Sequence, residues 1–316
     1  MLRLDFINVG DGDSILVRED ETNYVMLVDC GRPYIEFVKG SMRASAVNYL
    51  MKERVDHIDL MVLSHLHIDH IGGAYAILRR MPVKKMLAAY LPPDGARWVT
   101  APAGSNVKTV VGLCDMLNMF SDIVSDVREK GGTCELAREG TIPVTNSLSM
   151  RVLLPDEGLL ARQKSMFDGL YAGGQYPEDV LYAVSKERNC SSLRMYVDYA
   201  GRSALLTGDS YAAYWENDER AVPCDILKVP HHGDEKSMTE RLLLRLKPEY
   251  AVVSCQNDTS TKKERPAERV LKLLSGHVRH VLCTENRPFP AFPATAHDAV
   301  RISIDSDGTI RCIPCG

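Results

Sequence analysis

Hydrophobic and polar positions divide the first half of the chain into strands followed by alternating strands and helices. The segment Leu2–Val9 alternates polar and apolar residues, which indicates a β-strand with one buried face. Leu60–Leu63 is wholly apolar, as is typical of a strand buried on both faces. The predicted strands of this half are Leu2–Val9, Ser14–Arg18, Tyr24–Val28, Leu60–Leu63 and Lys84–Ala89, and the predicted helices are Ala44–Glu53 and Ile71–Arg80.

The second half repeats this organisation. Asp307-Gly308 is a turn signal that predicts a terminal hairpin between the last two strands. The predicted strands are Ser192–Tyr199, Ser203–Thr207, Ile226–Val229, Ala251–Ser254, Val278–Leu282, Val300–Ile304 and Thr309–Ile313, and the predicted helices are Thr239–Arg245 and Ala267–Leu274. Two rounds of strands, each followed by strand–helix alternation, predict an α/β sandwich with mixed sheets.

The middle of the chain is less regular. Residues 92–135 contain one amphipathic helix candidate, near Val110–Lys130, and residues 156–188 are rich in glycine and tyrosine. Neither stretch has enough apolar periodicity for a core of its own. We therefore expect one domain over residues 1–316, with two insertions near a functional site.

Composition narrows the class of protein. Hydrophobic residues make up 45% and charged residues 25% of the 316 residues, as in ordinary globular proteins. The net charge of −4 gives no sign of the basic surface that duplex-binding proteins often carry. The nine cysteines are scattered, which favours reduced thiols. With no signal peptide and no apolar run of membrane-spanning length, we expect a cytoplasmic protein without membrane association, and no protein partner can be inferred.

One short segment carries metal-binding chemistry. His65, His67, Asp69 and His70 lie within six residues, directly after the apolar strand at Leu60–Leu63. Imidazole nitrogen and carboxylate oxygen are common ligands of zinc, iron and manganese. His65 and His67 point the same way in an extended segment, and a helix start turns Asp69 and His70 to a neighbouring position. The loop can therefore offer two ligands to each of two metal ions, the alternative being a solvated polar loop.

Further polar residues follow other apolar strands. Asp29, Asp209 and the pair His231-His232 each come directly after such a strand. Ligand sites of α/β sheets lie beyond the carboxyl ends of the strands, so these residues predict one composite site. Asp209 can bridge two metals, and either His231 or His232 can complete a ligand shell while the other contacts substrate or a carboxylate. Taken singly, Asp29 could be a turn former, Asp209 a helix cap and His231 a surface residue.

These residues resemble a known family. The segment His65–Gly73 looks like the H-x-H-x-D-H signature of the metallo-β-lactamase superfamily. Val9–Ser14, Leu205–Asp209 and Leu227–Gly233 resemble the branch that contains the soluble domain of the ComEC-type competence proteins, and the arrangement is similar to that of the teichoic-acid phosphorylcholine esterases. The resemblance implies a four-layered αβ/βα sandwich with two mixed sheets and metals at one edge.

The chain departs from the family pattern in one informative way. Many members carry a ligand histidine before the bridging aspartate, whereas no histidine lies between His70 and His231 here. Asn189 stands in a segment that resembles the Asn-x-x-Ser pattern of the ComEC and esterase branch. An asparagine oxygen is a weaker and harder ligand than imidazole, so it could either loosen one metal or favour manganese over zinc. The resemblance thins after residue 256, where Lys262, Lys263 and Arg265 could meet an anionic substrate or form a solvated loop.

The resemblance implies a two-metal hydrolase. His65, His67 and Asp209 would hold one divalent ion, and Asp69, His70, Asp209 and His231 the other. Zinc is the first expectation for both, with manganese or iron as alternatives. A hydroxide between the metals would attack the substrate.

Asp69, Asn189 and His232 are the catalytic candidates. Asp29 is expected to fix the segment His65–His70, the ligand loop, by hydrogen bonds. We expect cleavage of a phosphodiester in a nucleic acid, a nucleotide or a choline-type compound, so that the partner is an anionic small molecule or a nucleic acid. The alternatives are an acyl or lactone hydrolase, and a di-iron oxidoreductase or non-catalytic metal-binding protein.

Overall fold

A computed structural model of the protein describes residues 1–36, 39–256, 265–285 and 297–315. The strands, in chain order, are β1 (Leu2–Ile7), β2 (Ile15–Glu19), β3 (Tyr24–Val28), β4 (Ile58–Leu63), β5 (Val83–Ala88), β6 (Thr133–Leu136), β7 (Gly140–Pro143), β8 (Leu148–Leu153), β9 (Arg194–Tyr199), β10 (Arg202–Leu206), β11 (Ile226–Lys228), β12 (Tyr250–Val253), β13 (His280–Cys283), β14 (Ala299–Ile304) and β15 (Ile310–Cys315). The helices are α1 (Ala46–Lys52), α2 (Ile68–Ile71), α3 (Ala74–Leu78), α4 (Lys108–Glu129), α5 (Glu157–Tyr171), α6 (Glu178–Lys186), α7 (Glu240–Leu246) and α8 (Glu268–His277), with short 3₁₀ turns at Arg188–Ser191, Ala212–Tyr214 and Pro230–Gly233.

The strands form two mixed sheets, as the sequence predicts. The first has the order β15-β14-β1-β2-β3-β4-β5-β6, and the second has the order β13-β12-β11-β10-β9-β8-β7. In the first sheet, β3, β4, β5 and β6 run parallel and the other neighbours are antiparallel. In the second sheet, β10, β11, β12 and β13 are the parallel set. Each sheet therefore has one edge at which several carboxyl ends of strands meet.

The layers follow from the alternation of side chains along the strands. In β4, Leu60 and Val62 pack in the core between the two sheets, while Met61 and Leu63 pack against the helices outside the first sheet. This agrees with a strand buried on both faces. The helices α1, α3 and α4 cover the first sheet, and α7 and α8 cover the second. The result is the four-layered αβ/βα sandwich that the sequence resemblance implies.

The middle of the chain is more regular than its sequence suggests. Residues 133–153 add three strands, β6, β7 and β8, that extend both sheets. The stretch 156–188 forms α5 and α6, although it is rich in glycine and tyrosine. The strands β6 and β7 are mostly exposed edge strands, so their sequences lack the apolar pattern that identifies a buried strand.

The segment predicted as one helix from Ile71 to Arg80 is instead two short helices, α2 and α3. Gly73 lies between them, and a side-chain carbon there would stand 2.0 Å from the carbonyl oxygen of Cys30. Glycine is therefore required for the close approach of this segment to the turn after β3. Within the described part of the chain, no helix is long and apolar enough to cross a membrane.

A buried ion pair joins the two sheets. Lys228 ends β11, and its side chain is completely buried on the face of the strand that Ile226 turns toward the other sheet. Its ammonium pairs with the carboxylate of Asp13, which follows β1 in the first sheet, and donates to the carbonyl oxygen of Gly208 at 2.9 Å. Burying an ammonium is costly unless it is paired, so Asp13 and Lys228 depend on each other.

We expect Lys228→Met to lower the free energy of unfolding by about 3–5 kcal/mol, because the Asp13 carboxylate would remain buried without its cation. Denaturant unfolding of the metal-free protein, followed by circular dichroism, measures the loss. The double variant Asp13→Asn/Lys228→Met removes both charges and should recover most of the stability. An unchanged single variant, or a double variant no more stable than the single one, would contradict the coupling.

Candidate metal centre

The polar residues that follow the parallel strands meet at one edge of the sandwich. Asp29 follows β3, and the segment His65–His70 follows β4 in the first sheet. Asp209 and the pair His231-His232 follow β10 and β11 in the second sheet. Because parallel neighbours end at the same edge, the loops of both sheets converge there.

Two groups of potential ligand atoms share the carboxylate of Asp209. The first donor group is His65, His67 and Asp209, and the second donor group is Asp69, His70, Asp209 and His232. Within each group, the ligand atoms lie within 4.8 Å of one another. Asp209 Oδ2 is 3.9 Å from His65 Nε2, 3.3 Å from His70 Nε2 and 3.4 Å from His232 Nε2. A carboxylate between two sets of imidazoles can bridge two cations.

The unpartnered atoms of the site test whether metal ions fit it. His70 Nε2, His232 Nε2 and Asp209 Oδ1 are buried and have no hydrogen-bond partner among the described residues. Buried polar atoms are normally paired, and an orphaned one calls for an explanation such as an ion. The three atoms belong to residues of the second donor group. A divalent cation there would satisfy them together, so the residues present fit a metal.

Asp29 holds the ligand loop through the hydrogen bonds expected from the sequence. Its carboxylate accepts from the backbone N–H and the hydroxyl of Ser64, both at 2.7 Å, and from Nδ1 of His70 at 2.7 Å. With Nδ1 donating to Asp29, His70 Nε2 is turned toward Asp209, which lies 3.3 Å away. His232 is oriented in the same way, because its Nδ1 donates to the carbonyl oxygen of Ser254 at 3.0 Å.

The histidines of the first donor group are neutral. Burial, together with the neighbouring charges of His70 and His67, holds the pKa of His65 well below its usual range. Burial and the nearby guanidinium of Arg188 lower the pKa of His67 to about 3. His65 Nε2 and His67 Nδ1 lie 2.9 Å apart. Two uncharged rings with converging nitrogens are suited to share a cation.

The histidines of the second donor group lie close to several carboxylates. Burial opposes their charged forms, but the carboxylates of Asp209 and Asp29 raise the pKa of His70 well above its usual range. For His232, burial is likewise outweighed by Asp209 and Asp69, which raise the pKa to about 10. A site that binds protons so tightly attracts a divalent cation in their place.

The turn Pro230–Gly233 decides how the two adjacent histidines point. His231 and His232 have φ angles of 48° and 54°, in the left-handed region that non-glycine residues rarely adopt. His232 Nε2 lies 3.6 Å from Asp69 Oδ2 and joins the second donor group. His231 Nε2 lies 3.8 Å from Asp209 Oδ2 but faces Asn189 and Arg265. The strained left-handed backbone of these two histidines is typical of functional positions.

Asn189 lies at the same edge, in the 3₁₀ turn that precedes β9. Its amide nitrogen is 3.0 Å from His231 Nε2, and its Oδ1 is buried without a hydrogen-bond partner in the described structure. The following residues brace Asp209, since Ser192 Oγ accepts from the Asp209 backbone N–H at 3.1 Å. The structure thus brings every predicted site residue to one edge. Lys262 and Lys263 lie outside the described residues.

Several residues of the site have no role in the sequence-based prediction. Asp13 and Ser64 touch the ligand loop or its partners, and Arg188 donates to the carbonyl oxygen of Leu66 at 3.1 Å. Lys228 was detectable as a charged residue within an otherwise apolar strand, a pattern that requires a buried partner. Asp13 lies in the Val9–Ser14 segment that resembles the ComEC-type branch, but that resemblance gave it no role. Ser64 and Arg188 carry no such signal, because their significance depends on distant neighbours.

Comparison with known proteins supports the assignment of the branch. The chain is 25% identical over 296 residues to ComE operon protein 3 of Bacillus subtilis, covering 89% of this chain and 32% of that protein. It is 24% identical over 254 residues to recombination protein 2 of Haemophilus influenzae, covering 80% of this chain and 24% of that one. The chain thus spans less than a third of the length of these relatives. The resemblance to the ComEC-type branch is confirmed.

The family model covers most of the chain, and one solved structure is also reported for comparison. Isothiocyanate hydrolase from Delia radicum gut bacteria aligns with a TM-score of 0.49 at 11% identity, covering 95% of this chain and 98% of that one. The family model described as "Metallo-beta-lactamase superfamily" matches residues 7–256, which include strands β2 to β12, the ligand loop and Asp209. The chain therefore belongs to the metallo-β-lactamase superfamily of metal-dependent hydrolases, with a candidate histidine–aspartate metal site at the edge of its two sheets.

Proposed function

We propose that this protein hydrolyses a phosphodiester bond, and that the two donor groups sharing Asp209 would hold two divalent metal ions for this reaction. The observation that carries the proposal is the sharing of Asp209 by two donor groups, with buried ligand atoms that have no other partner in the described structure. Two cations bridged by one carboxylate are a common arrangement for phosphoryl chemistry, since they can stabilise both the attacking and the leaving oxygen.

The first donor group would hold one ion through His65, His67 and Asp209, as predicted from the sequence. For the second ion, we propose Asp69, His70, Asp209 and His232. The choice of His232 rather than His231 is supported by its unpartnered Nε2 and its place 3.4 Å from Asp209 Oδ2. His231 as a ligand remains a prediction. Asn189 Oδ1, which is buried and unpartnered among the described residues, is the candidate that replaces the missing histidine.

The protein's own residues would orient and retain these groups. Divalent ions at the site would lower the pKa of water toward neutrality and polarise the phosphoryl group. Asp29 and Ser254 fix the two histidine rings of the second donor group, so their nitrogens point at Asp209 before any ion binds. Zinc or manganese would suit these nitrogen and oxygen ligands.

Positive charge around the site supports an anionic substrate. Burial lowers the pKa of Arg188 to about 10, which still leaves its guanidinium charged beside His67. Arg32 pairs with Asp11 and also interacts electrostatically with Asp69. These cations favour a phosphodiester over a neutral ester or lactone. The substrate would be a nucleic acid, a nucleotide or a choline-type phosphodiester, and the confirmed ComEC-type resemblance supports this class.

We expect metal-depleted protein to hydrolyse bis-p-nitrophenyl phosphate only after zinc or manganese is restored. Asp209→Asn keeps the shape of the side chain but removes the bridging charge. It should lower kcat/KM by roughly 10³-fold, equivalent to about 4 kcal/mol of transition-state stabilisation. Release of p-nitrophenolate is the measurement. Asp56→Asn is the matched control, because Asp56 precedes β4 at the opposite end of the strand and is exposed.

Turnover that is independent of metal, or unaffected by Asp209→Asn, would overturn the proposed role of Asp209. If the metal-loaded protein leaves the phosphodiester intact but cleaves p-nitrophenyl acetate, the acyl-hydrolase alternative replaces the phosphodiesterase.

Asp29→Asn should weaken metal binding by about 10–100-fold, because an amide cannot orient and polarise His70 as a carboxylate does. Asparagine tolerates the left-handed backbone of this position, where φ is 59°. Isothermal titration of the metal-free protein with zinc measures the affinity. A variant with wild-type affinity would contradict the role of Asp29 in holding the ligand loop.

A further inference from the structure

Two hydrogen-bond donors crowd one nitrogen beside the candidate metal centre. His231 Nε2 lies 2.8 Å from a terminal nitrogen of Arg265 and 3.0 Å from Nδ2 of Asn189. Tyr211 packs edge-on against the His231 ring, with centroids 4.7 Å apart, and its hydroxyl is 3.4 Å from Asn189 Nδ2. A neutral ring nitrogen has a single lone pair, so it cannot satisfy two donors well. The donors outnumber the acceptors at this point.

The nearest carboxylate lies close to Arg265 but makes no hydrogen bond to its Nε. Asp234 Oδ2 is 3.5 Å from Arg265 Nε, and Nε has no hydrogen-bond partner in the described part of the chain. The Arg265 side chain is 22% exposed, so it is held by its neighbours and yet open to solvent on one side. A guanidinium in this setting is prepared to bind an anion that enters from solution.

The position of this cluster relative to Asp209 indicates which anion would fit. His231 Nε2, on which the donors converge, is 3.8 Å from Asp209 Oδ2, the oxygen nearest the histidines of both donor groups. An anion bound by Arg265, Asn189 and Tyr211 would therefore lie next to the proposed metal ions. Guanidinium, amide and phenol groups are all donors to phosphoryl oxygens, and arginine suits their planar, two-point recognition.

We propose that Arg265, Asn189 and Tyr211 form an anion subsite that binds a non-bridging oxygen of the phosphodiester and selects it over neutral esters. This inference rests on the proposed function and names residues that decide its substrate class. The subsite holds the negatively charged oxygen that a phosphodiester has and a carboxylic ester or lactone lacks. Arg265 provides the charge, and Tyr211 and Asn189 provide neutral donors that fix the direction of approach.

The test compares an anionic and a neutral substrate on the metal-loaded protein. Arg265→Met should lower kcat/KM for bis-p-nitrophenyl phosphate by about 10–100-fold, the value of one charged hydrogen bond, and leave any hydrolysis of p-nitrophenyl acetate unchanged. Arg265→Lys should recover part of the loss, and Tyr211→Phe should cause a smaller one. Arg279→Met is the control for lost positive charge, because Arg279 is an exposed residue that pairs with Glu249.

A binding measurement separates this inference from the proposed function. Isothermal titration of the zinc-loaded protein with inorganic phosphate should give an affinity that Arg265→Met weakens at least tenfold and Arg279→Met leaves unchanged. If phosphate binding depends on Arg265 but no phosphodiester is cleaved, the subsite stands and the proposed reaction fails. If the phosphodiester is cleaved but Arg265→Met alters neither turnover nor phosphate affinity, or if it slows both substrates equally, the subsite is overturned.

Discussion

The buried carboxylate of Asp209 is the constraint around which the site is organised. This side chain is 2% exposed, and a buried charge costs several kcal/mol unless cations or donors surround it. Ring nitrogens from His65, His70 and His232 approach one oxygen, and the Lys228 ammonium is 3.8 Å from the other. These groups come from both sheets, so the compensation of one charge ties the two halves of the fold together.

The histidines around Asp209 fall into two groups that differ in the direction of their pKa shift. Burial dominates for His65 and His67, whose pKa values fall, whereas neighbouring carboxylates dominate for His70 and His232, whose pKa values rise. The direction of each pKa shift depends on how close the histidine lies to the carboxylates of Asp209, Asp29 and Asp69. A site of this kind binds either protons or metal ions, so metal occupancy and pH are coupled through the same ring nitrogens.

Backbone strain occurs at this edge of the sandwich together with unpartnered ligand atoms and crowded hydrogen-bond donors. Asp29, His231 and His232 all adopt positive φ angles, which costs on the order of 1–3 kcal/mol for each residue. The buried ligand atoms without partners and the donors crowded at His231 lie within the same few loops. Each feature disfavours the isolated fold, and a bound cation or anion would give the unpartnered atoms and the crowded donors a partner. The strain is therefore consistent with a site prepared for ligands.

Local patterns in the sequence predicted most of the strands, the ligand segment His65–His70 and the polar strand ends, because strand periodicity and ligand spacing act over a few residues. They missed β6 and β7, whose mostly exposed residues lack the apolar pattern of a buried strand, and they also missed β8, α5 and α6. The sequence by itself thus determined the fold class and the chemistry of the candidate metal site. Only the tertiary structure decided that Asp13 pairs with Lys228 and that His232 rather than His231 joins the second donor group. It also decided that Arg265 and Asn189 both reach His231. These contacts depend on how the two sheets face each other and on a left-handed turn, and neither is encoded in the spacing of residues along the chain.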